Sequence, residues 1–277
     1  MSSDLHIHTI FSDGRLMPEE VLAAACEAGL RNIAITDHDT VDGLRHLYEN
    51  EKDSVKGLTI IPGIELSAQT DGREVHILGY NVDIYSSQLA EGLVEISEDR
   101  WQRLVLMLEK LQELKYDVSE AEVLKVAGAS SSVSRSHVAR VLVKKGFFPT
   151  ARIAFDELLG EGKPCYVPRY RVEAEVAVDL IRAAGGFPVL AHPLLIGDDA
   201  VVSKVLKLDV AGIEVYYPQH NGDDVQRYEQ LAELHGLLKT GGSDFHGIAG
   251  RYPETLGEFV VDDELARPFV EAMNNDR

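Results

Sequence analysis

The apolar positions of this chain follow two periods. Short runs rich in β-branched and other apolar residues, Leu5–Thr9, Arg31–Thr36, Leu58–Ser67 and Val75–Tyr80, read as strands. Between them, Pro18–Ala28 and Asp42–Glu49 read as helices. Pro18 suits a first helical turn, where its missing N–H would have no partner, and Gly29 suits a C-terminal stop. From about residue 88 to 162 the strand rhythm stops. Leu104, Leu108, Leu111 and Leu114 mark one face of a long helix, and Ser119–Val126, Ser136–Lys145 and Ala151–Leu159 read as further helices. Alternation then resumes with a helix at Glu173–Ala184 and a strand at Phe187–Ala191. A helix at Val201–Leu206, a strand at Gly212–Tyr216 and a helix at Asp224–Leu234 follow, then strands at Leu237–Thr240 and Glu258–Val261. Such alternation predicts an α/β fold with a parallel barrel or sheet. Residues 88–162 are expected to form a helical subdomain inserted into a barrel domain made by residues 1–87 and 163–277.

Composition narrows the setting. A hydrophobic fraction of 45% in 277 residues is ample for a buried core. No apolar run reaches the length of a membrane span, and the first residues lack the basic and apolar pattern of a signal peptide, so a cytoplasmic protein is expected. The two cysteines, Cys26 and Cys165, form no CxxC and argue against a thiolate metal site. With 27 basic and 46 acidic residues the net charge is −19, which repels nucleic-acid backbones and anionic membranes. Duplex DNA and membranes are therefore not expected as partners. A small anionic ligand remains compatible, because bound cations reverse a local field.

The chemistry lies where the histidines fall. His6, His8, His38, His192 and His246 all sit at or just past predicted strand ends, the edge where α/β folds build their sites. His6 and His8 are two apart on a strand and share a face. Alone, such a pair is as compatible with two surface histidines as with metal ligands. Asp13-Gly14 follows in a turn that can bring a carboxylate back over them. Thr36-Asp37-His38-Asp39 places an imidazole between carboxylates. Glu65 ends an apolar strand, and His76 lies within the next one. His192 follows the buried strand Phe187–Leu190, and Asp244 and His246 follow Leu237–Thr240 within a glycine-rich turn. The joint placement of His6, His8, Asp13, His38, Glu65, His76, His192, Asp244 and His246 predicts a metal centre.

These motifs resemble the polymerase and histidinol phosphatase (PHP) family of metal-dependent phosphoesterases. The matching pieces are Asp4-Leu5-His6-Ile7-His8-Thr9, Ser12-Asp13-Gly14, Thr36-Asp37-His38, Pro62-Gly63-Ile64-Glu65, His76, His192 and Ser243-Asp244-Phe245-His246. The resemblance implies a distorted (β/α)7 barrel with two or three divalent cations (manganese, iron or zinc) at its mouth. It implies that His6, His8, Glu65 and Asp244 hold one cation, that Glu65, His76 and His192 hold a second, and that Asp13, His38 and His246 hold a third. Ser134-Arg135-Ser136-His137 and Pro164-Cys165-Tyr166-Val167-Pro168 resemble the branch that acts on nucleoside 3',5'-bisphosphates and short RNA 5' ends, which includes ribonuclease AM. Ser134 and Ser136 depart from that branch's pattern.

The function so implied is hydrolysis of a phosphomonoester of a nucleoside 3',5'-bisphosphate, extending to 5'-to-3' cleavage of short single-stranded RNA, by metal-activated hydroxide. Arg135, His137 and Arg169 are the expected phosphate binders. Asp37 is expected to orient a ligand or relay a proton. Two rivals are a histidinol-phosphate phosphatase, which needs a pocket for a cationic amine, and a PHP module that binds metal or nucleotide without turnover.

Overall fold

The computed structural model describes residues 2–168 and 172–275. In chain order the elements are β1 (Ser2–Ile7), α1 (Pro18–Glu27), β2 (Leu30–Ile35), α2 (Asp42–Glu49), β3 (Thr59–Thr70) and β4 (Arg73–Tyr80). Next come α3 (Ser87–Glu113), α4 (Glu120–Ala127), α5 (Arg135–Lys144) and α6 (Ala151–Ala154), which continues as a π-helical turn over Phe155–Leu159. The chain returns through α7 (Ala174–Ala183), β5 (Phe187–Leu190), α8 (Asp199–Val205), β6 (Gly212–Tyr216), α9 (Gly222–His235), β7 (Leu238–Gly241), β8 (Val261–Asp262) and α10 (Asp263–Asn275).

The strands lie in the order β7-β6-β5-β4-β3-β2-β1-β8. Parallel pairing of Ile7 with Phe245, just past β7, brings the two ends of this sheet together as a nearly closed barrel. There the His8 amide donates to the Phe245 carbonyl at 2.9 Å. The expected (β/α)7 barrel is distorted at β4, which runs antiparallel to both β3 and β5. The cause is local: Asp71 and Gly72 adopt left-handed φ of 51° and 77°, the two-residue turn that folds β3 directly onto β4.

Period-two alternation separates two cores. Ile33, Ile35, Ile64, Leu66, Ile77, Leu190, Ile213 and Val215 pack with the helices. Ala34, Ile61, Leu78, Tyr80 and Val189 lie on the opposite faces and cluster with Phe269 and Met273 of α10. Tyr80 ends the reversed strand and Phe187 begins β5, and both rings meet Phe269, at 5.0 and 6.5 Å between centroids. The second core face is thus sealed by α10 at the end of the barrel where the parallel strands begin. A further apolar cluster is built from residues between Leu104 and Val167, whereas Leu89 and Ile96 of α3 pack with the barrel helices.

Most predicted elements fall within two residues of those observed, and two differ. Glu258–Val261, read as a strand, is extended only at Val261–Asp262. Helix α10 was not expected, because Pro268 inside its span removes a backbone donor; the helix forms around that proline as Ala266, Phe269 and Met273 bury one face. Among the described residues no helix is long and apolar enough to cross a membrane.

The closure between β7 and β1 leaves no room for a side chain. A Cβ on Gly242 would stand 2.4 Å from both the Cβ and the amide nitrogen of His6. Gly222, at the start of α9, has open space. Gly242→Ala is therefore expected to destabilise the protein by about 1–3 kcal/mol through overpacking. Gly222→Ala should stay within about 0.5 kcal/mol of wild type. Chemical denaturation of the two variants checks this.

Candidate metal centre

The inner strand faces carry a polar cluster at the end opposite α10. Asp4 and His6 share one face of β1, His8 follows directly after its last residue, and Glu65 lies four residues beyond Ile61 on the inner face of β3. His76 precedes Leu78 by two on the reversed strand β4, and Glu214 lies between the helix-facing Ile213 and Val215 of β6. The remaining groups come from turns just past strand ends. His192, Asp244 and Asp39 hold left-handed φ of 24°, 51° and 51° there, strained conformations for non-glycine residues.

Glu65 is the hub. Its carboxylate is fully buried and meets five imidazoles. Oε2 lies 3.2 Å from His6 Nε2, 3.2 Å from His8 Nε2 and 2.9 Å from His38 Nδ1. Oε1 lies 2.8 Å from His76 Nδ1 and 2.9 Å from His192 Nε2. Asp244 Oδ1 stands 3.2 Å from His8 Nε2, and Asp13 Oδ1 stands 3.1 Å from His246 Nε2. Four groups of side chains bring ligand atoms within 4.8 Å of one another: His8, Asp13, His38 and His246; His6, Glu65 and His192; His6, His8 and Asp244; His38, Glu65 and His76. All nine residues expected as ligands take part. His76 and His192 both reach Glu65 Oε1, but in different groups.

The chemistry of these atoms fits divalent cations. His6 Nε2, both ring nitrogens of His8, His38 Nδ1, Glu65 Oε2 and Asp13 Oδ1 are buried and make no hydrogen bond of acceptable geometry, although His6 Nε2, His8 Nε2 and His38 Nδ1 lie about 3 Å from Glu65 Oε2, and Asp13 Oδ1 lies 3.1 Å from His246 Nε2. Buried polar atoms left this way are costly unless something charged joins them. Mixed imidazole and carboxylate donors suit manganese, iron or zinc.

Neighbouring groups aim the ligands. Glu214, fully buried, accepts from His6 Nδ1 at 3.0 Å and from the His192 amide at 2.7 Å, which turns the His6 Nε2 lone pair toward Glu65. His246 donates through Nδ1 to the Asp244 carbonyl at 2.8 Å, leaving Nε2 toward Asp13. Electrostatics follow the same layout. Burial would raise the Glu65 carboxyl, yet His38, His76 and His6 hold it well below the usual range. Burial opposes charge on His8 too, but Asp244 and Glu65 push it up to about 9. Burial wins at His38, which falls to about 4.

Several sequence-predicted residues are placed outside this cluster. Asp37 is buried, and both its oxygens are occupied: Oδ1 accepts from the Thr9 amide at 2.7 Å and Ser12 Oγ at 2.5 Å, and Oδ2 from Thr9 Oγ1 at 2.6 Å. Arg135 donates to Glu74 at 2.7 Å, and Glu74 in turn lies 3.5 Å from His76 Nε2. His137 is buried and accepts from the Ser134 amide at 3.0 Å, capping α5; burial lowers its pKa to about 4, so the ring is neutral. Arg169 lies outside the described residues.

Sequence reasoning missed Glu214, Arg100 and Arg251. Glu214 had a signal, a lone acid inside the apolar strand Gly-Ile-Glu-Val-Tyr. Arg100 reaches from α3 to Asp39 Oδ2, with Nε at 2.6 Å, and to the Val133 carbonyl at 3.1 Å, tying the turn after His38 to the segment before α5. Only the fold brings these together. Arg251 donates to Asp244 Oδ2 at 2.7 Å.

Comparison with known proteins gives this arrangement its family. Residues 4–161 match the PHP domain. The chain belongs to the PHP family. The 5'-3' exoribonuclease Rnm of Escherichia coli (strain K12) is 37% identical over 88% of this chain and 84% of its own length. The 3',5'-nucleoside bisphosphate phosphatase of Chromobacterium violaceum is 34% identical over 90% and 89%. The phosphoribosyl 1,2-cyclic phosphate 1,2-diphosphodiesterase of Eggerthella lenta is also 34% identical, over 91% and 97%. Among solved structures, an amidohydrolase from Chromobacterium violaceum with bound sulfate superposes with a TM-score of 0.86 at 31% identity, covering 100% of this chain and 97% of that one. This PHP protein is a metal-dependent hydrolase of phosphoester bonds.

Glu214→Gln keeps the shape of the side chain but weakens its grip on His6 and His192. Metal affinity is expected to fall about 10–100-fold, while the fold is retained. Metal titration with circular dichroism on the same samples checks both halves.

Proposed function

We propose that the nine clustered residues hold two or three divalent cations. We propose further that the protein releases a phosphate from nucleoside 3',5'-bisphosphates and trims short single-stranded RNA from its 5' end. The observation that carries this reading is a cleft of about 720 Å³ that opens directly onto the cluster. Asp13, Ser243 and Asp244 line it next to the candidate ligands, and Ser136, Phe155, Arg152, Arg251 and Tyr252 line its walls. That volume is in the range of small-molecule sites, and aromatic rings beside guanidinium groups suit a base and a phosphate. The names of the Escherichia coli and Chromobacterium violaceum relatives support the same chemistry.

When bound, divalent cations lower the pKa of a water and neutralise the oxygens around phosphorus. The chain's own residues do the rest. Asp13 and Asp244 face both cluster and cleft and so fix where the phosphorus sits. Asp37 acts through the loop after β1: by holding Thr9 and Ser12 it sets the position of Asp13. His137 buttresses the same loop as a neutral ring, interacting with the Ser12 backbone. Arg135, held by Glu74 and stacked over Tyr166 at 5.5 Å, is the phosphate contact on the far side of the cluster. Arg140, half buried, has its pKa lowered by burial and by the nearby charge of Arg15, while Asp13 opposes the shift. Arg152 and Arg251 bring positive charge to the cleft wall. The guanidinium groups of Arg152 and Arg251 would repel a cationic amine, which disfavours histidinol phosphate.

The test compares turnover by manganese-, iron- and zinc-loaded protein on adenosine 3',5'-bisphosphate, histidinol phosphate and a cyclic phosphodiester. The reading expects phosphate release from the bisphosphate at a kcat/KM at least about tenfold above the other two, a difference of about 1.4 kcal/mol. Turnover of the cyclic substrate alone would move the assignment toward the Eggerthella lenta relative. Absence of turnover on all three would remove it.

A further inference from the structure

We propose that Arg251 selects substrates that carry a second phosphate, by gripping the non-scissile phosphate on the cleft floor beside Asp244. This rests on the nucleotide reading above and adds a residue and a specificity to it.

The argument starts from the two oxygens of Asp244. Oδ1 points into the cluster, 3.2 Å from His8 Nε2 and 3.4 Å from His246 Nδ1. Oδ2 points outward and accepts from Tyr217 Oη at 3.1 Å and from Arg251 Nη2 at 2.7 Å. A single carboxylate therefore separates the guanidinium from the reacting centre. Phosphates on one nucleotide lie a few bonds apart, so an anion held at the cluster brings its second phosphate within reach of this side chain.

Arg251 is also equipped to bind. Its side chain keeps 41% of its surface exposed although its end is fixed to Asp244, and it lines the cleft. A guanidinium carries five N–H donors in a planar fork that matches phosphate bidentately. Among the described residues, Asp244 is the one side chain that accepts from it. A cation placed this way in a chain of net charge −19 is an anion site.

The neighbouring loop holds the fork in place. Gly247 and Gly250 take left-handed φ of 65° and 80°, so the chain doubles back and returns Arg251 to Asp244 only seven residues later. The next residue, Tyr252, is 60% exposed, yet its hydroxyl donates to the Glu258 carbonyl at 2.9 Å. An exposed ring held by its own hydrogen bond is a ready platform for a base. Phosphate on Arg251 and base on Tyr252 place a nucleoside along the cleft.

The experiment uses the full-length, metal-loaded protein and Arg251→Gln, with Arg251→Lys as the conservative variant. kcat/KM is measured on adenosine 3',5'-bisphosphate and on adenosine 3'- and 5'-monophosphate, with metal content and circular dichroism recorded for each protein. The proposal expects Arg251→Gln to lose at least about tenfold more kcat/KM on the bisphosphate than on either monophosphate, chiefly through KM, with Lys restoring part of the loss. Equal losses on all three substrates would overturn it, because Arg251 would then act only through Asp244. Calorimetry supplies a readout that needs no turnover. With inorganic phosphate saturating the metal cluster, wild type should bind an adenosine monophosphate more tightly than adenosine, and Arg251→Gln should lose that preference. If wild type turns over no bisphosphate, the function reading fails, and the binding comparison still decides whether Arg251 recognises phosphate. A preference unchanged in the variant overturns the proposal.

Discussion

A carboxylate buried among five imidazoles sets the design of this molecule. Glu65 sits at the end of the barrel interior, and its two oxygens divide the histidines between them. Removing such a charge from water is expensive, and His6, His8 and His76, which the neighbouring carboxylates push toward the charged form, offset the cost. The result is a set of buried nitrogen and oxygen atoms aimed at shared points. A protein that kept this cluster for stability alone would gain more from apolar side chains of the same volume. Under the proposed function, divalent cations held by these side chains would account for the arrangement.

The barrel exists to deliver those groups. Period-two alternation divides each strand between a helix-facing apolar side and an inner side. The inner side is apolar near α10 and polar at the far end, so one strand serves both core and site, as Ile61 and Glu65 do on β3. The reversal of β4 keeps this scheme, because its order along the chain is reversed as well: His76 comes before Leu78 and Tyr80. Strain at Asp39, His192 and Asp244 is confined to the turns that finish the site, where buried hydrogen bonds and ion pairs hold the backbone.

Much of this was legible in the chain itself. Five of the nine clustered residues, His6, His8, His38, His192 and His246, could be named because each sits at or just past a predicted strand end, a position that the apolar pattern marks. Their partners were harder to read. Arg100 and Asp39 are separated by α2, a strand hairpin and half of a long helix, and nothing in local pattern joins them. Arg251 looked like one more loop residue, since its meaning depends on two left-handed glycines returning it to Asp244. His137 was read as a phosphate binder from the arginine two residues before it; the fold buries it and has it accept from the Ser134 amide at the start of α5, a contact that local pattern did not signal. Helix α10 was hidden by a proline that tertiary packing overrides.

The central claim is that the cations gather around Glu65. Anomalous diffraction from crystals of the metal-loaded protein, recorded at the absorption edge of the bound metal, tests it most directly. The account predicts peaks bordered by Glu65 and its histidines, with ligand distances of about 2.0–2.3 Å. Peaks confined to other acidic surfaces, with Glu65 bordering none of them, would contradict it.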